Sequence, residues 1–195
     1  SPDDEEMEES LLDERFLGYP AVAIEQSGKT MNQMFNTAFK NLSESIELLG
    51  DYSQEKFDRI MRREETVDKF EDKLGAYLVR LNAKELSEKE NRASAKYLNC
   101  LSNVERISDH AVNLAELAQE LFTKKVSFSV QAKRELDICI NAVNEIASLT
   151  QNAMADSDAA KAHMVEPLDD VIDALSRELK VRHIQRVQAG QCTLE

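Results

Sequence analysis

Residues 54–82 read QEKFDRIMRREETVDKFEDKLGAYLVRLN, and this stretch decides the fold. Its apolar side chains recur at steps of three, four or seven positions: Phe57, Ile60, Val67, Leu74, Leu78 and Leu81. An α-helix turns once in 3.6 residues, so this spacing places them all on one helical face. Ser53, directly before the stretch, is a residue type that caps helix N-termini. The sequence therefore predicts a long amphipathic helix over residues 54–82.

Four further helices follow from the same kind of spacing. Their predicted ranges are 29–49, 88–122, 158–188 and a helix that opens at Ser127 or Ser129. Ser87 and Glu90 form a capping box before the third helix, and Pro167 should kink or interrupt the fifth. The chain has only five glycines and three prolines in 195 residues, which leaves few turns. Long helices joined by short loops predict an all-α, antiparallel helical bundle.

Charge and composition exclude several classes of protein. The chain carries 24 basic and 37 acidic residues, a net charge of −13, which disfavours nucleic acid and anionic membrane surfaces as partners. The longest apolar runs are short, so we expect no direct membrane insertion of this segment. Three widely spaced cysteines without a Cys-x-x-Cys pair suit a reducing cytosol.

The helices repeat along the chain. Leu42 aligns with Ile146 and Ser53 with Ser157 at one constant offset. Such a repeat implies two similar bundles in tandem. We therefore predict an acidic leader or linker over 1–27, a first three-helix bundle over 28–124 and a second, incomplete repeat over 125–195. The third helix of the second repeat would fall after residue 195.

Two helices carry acidic residues on their predicted apolar faces. Glu64 and Asp68 lie one turn apart in the second helix, and Glu105 and Asp109 repeat this spacing in the third. If the two helices face each other, four carboxylates converge, and their repulsion calls for protons or hard cations. The repeat adds a further pair, Asp169 and Asp173. Two other interpretations stay open: these acids are ordinary solvated charges, or they pair with Arg62, Arg63 and Arg106.

Signals for catalysis are weak. The sequence contains no Gly-rich phosphate loop, no nucleophile elbow and no Cys/His pair for nucleophilic catalysis. His163 and Glu166 read His-x-x-Glu, the reverse of the Glu-x-x-His found in di-iron carboxylate oxidases. A metal-dependent enzyme is therefore disfavoured, and we predict a protein that is not an enzyme. A basic patch in the fifth helix is interpreted as a solvated face that pairs with acids, with a bound anion as the alternative: Lys180, Arg182, His183 and Arg186.

The stretch Glu105–Glu116, ERISDHAVNLAE, resembles the signature of PhoU-family proteins, regulators of phosphate uptake. The resemblance extends over residues 28–195 and implies tandem three-helix bundles and a binding protein rather than an enzyme. It also implies a multinuclear metal cluster, with iron or zinc first and manganese, magnesium or calcium as further options. Carried over to this chain, the ligands are Glu64, Asp68, Glu105 and Asp109, with Asp169 and Asp173 as half of a second site.

The flanking segments resemble a narrower group. Leu12–Leu17, LDERFL, and Arg182–Cys192, RHIQRVQAGQC, are similar to the cytoplasmic C-terminal region of sodium/phosphate cotransporter-like membrane proteins. This resemblance implies a regulatory domain at the cytoplasmic face of the membrane, joined to a phosphate transporter in the same polypeptide. The alternative is a structural helical adaptor that binds no metal.

The incomplete second repeat should leave an apolar face uncovered, with these members: Ile140, Val143, Leu168, Ile172, Leu175 and Leu179. A large apolar patch rarely stays exposed in a soluble monomer. We therefore expect a homodimer, or packing of this remnant onto the first bundle. Asp169 and Asp173 should hold metal poorly without an opposing acidic pair.

Overall fold

The computed structural model describes residues 9–125, 128–156 and 165–190, and this part of the chain is helical. Two short 3-10 turns, Glu9–Leu12 and Glu14–Gly18, precede five α-helices. The helices are α1 Pro20–Gly50, α2 Gln54–Asn82, α3 Glu88–Thr123, α4 Val130–Asp156 and α5 Val165–Gln188. No β-strand occurs within those three ranges. The predicted all-α bundle is confirmed.

The predicted helix starts hold where a capping side chain marks them. Ser53 Oγ accepts a hydrogen bond from the backbone N–H of Lys56 at 3.4 Å, at the start of α2. The capping box of α3 forms in both directions, since Ser87 Oγ accepts from the Glu90 N–H while Glu90 Oε2 accepts from the Ser87 N–H. Ser129 Oγ accepts from the Ala132 N–H at 3.1 Å, so Ser129 caps α4.

Helix α1 begins earlier than predicted, at Pro20 rather than near residue 29. Proline suits the first turn of a helix because its missing N–H would have no intrahelical partner there. Ala23 and Ser27 are fully buried, which extends the apolar face of α1 toward its N-terminus. Residues 20–27 are therefore helical, although their sequence was interpreted as part of a linker.

The predicted start of the fifth helix lies outside the described residues, which omit 157–164. The described helix α5 begins at Val165, and Pro167 falls in its first turn. The kink expected from this proline inside a longer helix therefore stays a prediction.

The chain divides into two compact units, Ser1–Ala118 and Gln119–Glu195. In the first unit, α1 and α2 run antiparallel, and the side chain of Asn41 donates a hydrogen bond to the backbone oxygen of Ile60 at 3.0 Å. Leu48 and Ile60 pack with Ala115 and Ala118 of α3 in one buried cluster. The predicted apolar face of α2 is confirmed, because these members are fully buried: Ile60, Val67, Leu74, Leu78 and Leu81.

The second unit contains α4 and α5, which pack against each other. Its described residues include no fully buried apolar side chain; the buried side chain there is Glu135, at 7% exposure. Ile140 and Val143 of the predicted apolar face are half-buried. The other four members of that face, Leu168, Ile172, Leu175 and Leu179, lie outside the residues whose side chains are described.

No helix in the described part of the chain combines the length and apolarity that a membrane crossing needs.

Candidate functional site: an acidic cluster on two helices

The four acids predicted in the first bundle lie beside the buried face of their helices, not on it. Glu64 on α2 and Glu105 on α3 are half-buried, while Asp68 and Asp109 are exposed. The buried face of α3 runs through Leu101, Val104, Ser108, Ala111, Ala115 and Ala118. The prediction that acids occupy core positions is therefore wrong by a fraction of a turn. A residue four positions along a helix is rotated by about 40°, so each aspartate lies nearer to water than its glutamate.

The carboxylates nevertheless act on each other across the two helices. Burial raises the pKa of Glu64, and the negative charges of Asp68 and of Asp109 on α3 raise it further. Since Asp109 affects Glu64, the two helices bring members of the two predicted pairs together.

The pKa of Glu105, on α3, is raised in the same way as that of Glu64. Burial raises its pKa, and so do a hydrogen bond with Asp109 and the charges of Asp109, Asp68 and Glu71. Glu71 thus joins the site. It lies on the predicted α2 face two turns after Glu64, and this spacing was the signal that could have identified it as a site residue. We call the five residues Glu64, Asp68, Glu71, Glu105 and Asp109 the acidic cluster.

The acidic cluster offers only carboxylate oxygens, the donor type that hard cations prefer. In the ranges that the structure describes, no three His, Cys, Asp or Glu side chains are arranged closely enough to hold a metal ion. The donor chemistry therefore fits a hard cation, and the described side chains would have to draw closer to coordinate one.

Of the three arginines that could neutralise the acidic cluster, Arg63 pairs with a carboxylate outside it. Arg63 is buried and donates to Glu44 Oε2 of α1 at 2.9 Å, and Arg59 donates to the same oxygen at 3.2 Å. The guanidinium of Arg63 therefore links α2 to α1. Arg62 and Arg106 are exposed.

The second predicted site falls in the other unit. Asp169 and Asp173 belong to α5, and their side chains lie outside those described. His163 likewise lies outside the described residues, and His110, next to Asp109, is exposed. The ligand roles predicted for Asp169 and Asp173 stay predictions.

Two arginines of the α5 basic patch pair with acids, as interpreted from the sequence, although Arg186 is largely buried and not solvated. Arg186 Nη1 donates to both carboxylate oxygens of Glu135, at 2.8 and 2.9 Å. Arg182 donates to Glu178 at 2.8 Å, and its guanidinium also lies 3.7 Å from Glu135.

Cys100 and Cys139 are free thiols.

Comparison with known proteins gives one family match. Residues 31–118 match the PhoU domain. Neither a curated protein nor a solved structure matches the chain. The matched range covers most of α1, all of α2 and α3 up to Ala118, and it contains the whole acidic cluster. The match identifies a PhoU-type helical domain over residues 31–118.

Proposed function

We propose that this chain is a regulatory PhoU-like domain that controls phosphate uptake by binding metal ions at its acidic cluster. The observation that carries the proposal is the cross-helix repulsion of Glu64 by Asp109 and of Glu105 by Asp68. Both pairs lie inside the range that matches the PhoU domain. The match favours a regulatory role in phosphate homeostasis over an enzymatic one.

The chemistry of the cluster supports a bound cation. Burial and neighbouring negative charges raise the pKa values of Glu64 and Glu105, and a cation at the cluster would relieve that repulsion. Glu64, Asp68, Glu105 and Asp109 would supply the ligands, and Glu71 would extend the donor set. Iron or zinc is our first choice of metal, with manganese, magnesium and calcium as further options, and a cluster of several ions is proposed.

The wider context is also a proposal. The flanks Leu12–Leu17 and Arg182–Cys192, with their resemblance to cotransporter-like proteins, favour a domain at the cytoplasmic face of the membrane. The partner would be a sodium-dependent phosphate transporter in the same polypeptide. Asp169 and Asp173 would form half of a second metal site, and a homodimer could complete the second unit.

A structural helical adaptor is the competing function, and the exposure of Asp68 and Asp109 favours it. Exposed carboxylates are often plain solvated charges. The two functions differ in one measurable property, because an adaptor has no stoichiometric metal.

Elemental analysis of the purified chain tests the proposal. After chelation and dialysis against iron, zinc, manganese, magnesium and calcium in turn, we expect stoichiometric retention of at least one metal. Glu105→Ala with Asp109→Ala should abolish it. The matched control is Glu116→Ala with Glu120→Ala, an exposed acidic pair with the same spacing on the same helix. A wild-type chain that retains none of the five metals would refute the proposal and favour the adaptor.

Thermal unfolding gives an independent measurement. A ligand that binds only the folded state stabilises it by mass action, so chelation should lower the melting temperature of a metal-binding chain. Glu64→Gln with Glu105→Gln should make the metal-free form more stable, because it removes repulsion. An adaptor predicts no response to the chelator and changes within about ±0.5 kcal/mol for the substitutions.

A further inference from the structure

The segment before α1 folds back onto the first unit. Glu9–Gly18, which we call the strap, forms the two 3-10 turns and contacts both α1 and α2. Within it, Asp13 Oδ1 accepts a hydrogen bond from the Arg15 backbone N–H at 2.8 Å, and the Arg15 Nε donates to Asp13 Oδ2 at 2.9 Å. The strap therefore has a turn structure of its own.

Two residues of α2 hold the strap in place. The hydroxyl of Tyr77 donates a hydrogen bond to the backbone oxygen of Asp13 at 3.2 Å. The guanidinium of Arg80 forms an ion pair with the carboxylate of Glu14. Tyr77 and Arg80 are three positions apart, so they lie on one face of the helix. One face near the C-terminal end of α2 thus supplies both of these polar contacts to the strap, which also packs on α1.

Burial is unequal on the two sides of this contact. Tyr77 is 1% exposed, whereas no strap residue from Leu11 to Gly18 is fully buried. The apolar side chains of the strap itself are half-buried: Leu11, Leu12, Phe16 and Leu17. Segments with few fully buried apolar groups open locally at a lower free energy than the core does. The strap has this property, and the helix face beneath it does not.

The packing between strap and α2 is also incomplete. A surface cleft of about 380 Å³ lies between them, lined by Leu12, Glu14, Asp72, Lys73, Ala76, Tyr77 and Arg80. Its lining carries two acidic and two basic side chains, so its charge selects neither an anion nor a cation. The strap does not contact α2 along this cleft, so less contact is lost when the strap opens.

We propose that the strap is a clasp that opens and closes on α2 as one local unit, with Tyr77 and Arg80 setting the balance between the two states. Opening would uncover the Tyr77 face of α2 while α1 and α2 stay packed. A partner that binds only the open strap would shift this balance by its difference in affinity for the two states. Opening and closing of the clasp would thus link the state of the chain before α1 to α2, the helix that carries Glu64, Asp68 and Glu71. The clasp does not depend on bound metal.

Amide hydrogen exchange by NMR tests the clasp in the full chain. The amides of Phe16 and Tyr19 report the closed strap, because they donate to Asp13 O and Phe16 O at 3.0 and 2.8 Å. Tyr77→Phe removes one anchoring hydrogen bond and should speed their exchange by about two- to tenfold. Exchange in the middle of α1 should stay at its wild-type rate. Trypsin cleavage after Arg15 should accelerate by the same factor.

Two further variants complete the test. Arg80→Ala removes a largely exposed ion pair and should speed strap exchange by about twofold, which gives a second reading if Tyr77→Phe does not fold. Tyr52→Phe is the matched control, because the Tyr52 hydroxyl donates to Gln54 Oε1 outside the strap; it should leave strap exchange unchanged. Unchanged strap exchange in both anchor variants overturns the proposal. Equal acceleration in the strap and in α1 also overturns it, since the strap would then open only with the core.

Discussion

The side-chain amide of Asn41 on α1 donates a hydrogen bond to the backbone oxygen of Ile60 on α2, at an N···O distance of 3.0 Å. Both side chains are fully buried. A backbone oxygen has a second lone pair, so Ile60 can accept this bond in addition to one from its own helix. The Oδ1 atom of Asn41 is buried without a hydrogen-bond partner. This polar contact therefore fixes the register of two helices at some cost in desolvation.

We predict that Asn41→Ala lowers the free energy of unfolding by about 1–3 kcal/mol, because it deletes the contact and leaves a void. Asn41→Leu should lower it less, since leucine fills the space and removes the buried Oδ1. Asn103→Ala is the control: Asn103 bonds a carbonyl of its own helix at 3.3 Å and is exposed, so about ±0.5 kcal/mol is expected. Urea unfolding measures all three. Equal effects of Asn41→Ala and Asn103→Ala would contradict the assignment.

Two glycines inside helices should respond differently to substitution by alanine. A Cβ on Gly75 would lie 3.7 Å from Leu101 Cδ1, an ordinary contact, so Gly75→Ala should stabilise by about 1 kcal/mol through helix propensity. A Cβ on Gly28 would lie 2.6 Å from the Tyr97 hydroxyl oxygen, which must move. We therefore expect Gly28→Ala to bring no stabilisation, and to become favourable when combined with Tyr97→Phe. Thermal unfolding of Gly75→Ala, Gly28→Ala, Tyr97→Phe and the Gly28→Ala/Tyr97→Phe double variant decides. A Gly28→Ala gain equal to that of Gly75→Ala would show that Tyr97 moves freely.

The sequence was sufficient for the features that depend on neighbouring residues. The caps at Ser53 and at Ser87 with Glu90 were predicted because each capping side chain bonds a backbone amide only three residues away in the sequence. The buried face of α2 was predicted because helical periodicity is a local property. The start of α1 was missed because residues 20–27 were interpreted as part of the acidic leader. Gly28 also lowers the helix propensity there, and the space that its missing side chain leaves is occupied by Tyr97, far along the chain.

The sequence predicted four of the five members of the acidic cluster, missed Glu71, and did not predict how exposed the members are. Spacing identified Glu64, Asp68, Glu105 and Asp109, and α2 and α3 bring members of both pairs close enough for the charge of Asp109 to raise the pKa of Glu64. Whether a residue lies on the buried face or beside it depends on how far each helix is rotated in the bundle. That rotation is set by packing with distant residues, so spacing alone could not place Asp109 in solvent.

The stability of the second unit should depend on a buried ion pair. Glu135 and Arg186 have side chains only 8% and 11% exposed, and they lie 2.8 Å apart. Removing one partner leaves the other charge buried and unpaired, so Glu135→Ala should destabilise this unit by about 3 kcal/mol. Glu135→Met with Arg186→Met should recover most of that loss. Glu178→Ala, at an exposed i,i+4 pair, is the control, with less than about 0.5 kcal/mol expected.

Hydrogen exchange of the α4 amides measures this unit separately from the first. If Glu135→Ala and Glu178→Ala change that exchange equally, the pair contributes no more than a surface salt bridge.

Tyr77 gives the chain a dependence on alkaline pH. Burial raises the pKa of its hydroxyl, and the negative charge of Asp13 raises it further. The folded state therefore holds the Tyr77 proton more tightly than the unfolded chain does. The stability that this contributes is complete below the ordinary tyrosine pKa and is lost as the pH rises through the raised value in the folded state. Above the ordinary value, wild-type stability should fall more steeply with pH than that of Tyr77→Phe.

Absorbance titration of the phenolate, followed by urea unfolding at a series of pH values, measures both parts of this prediction. The wild-type curve should contain a late-ionising tyrosine that Tyr77→Phe lacks, and the stability difference between the two chains should shrink as the pH rises. Ionisation also removes the proton that Tyr77 donates to Asp13 O, so strap exchange in the wild type should approach that of Tyr77→Phe at the same pH over this range. A Tyr77→Phe chain that loses stability with pH as steeply as the wild type would show that another group titrates, and that Tyr77 is not the source of the effect.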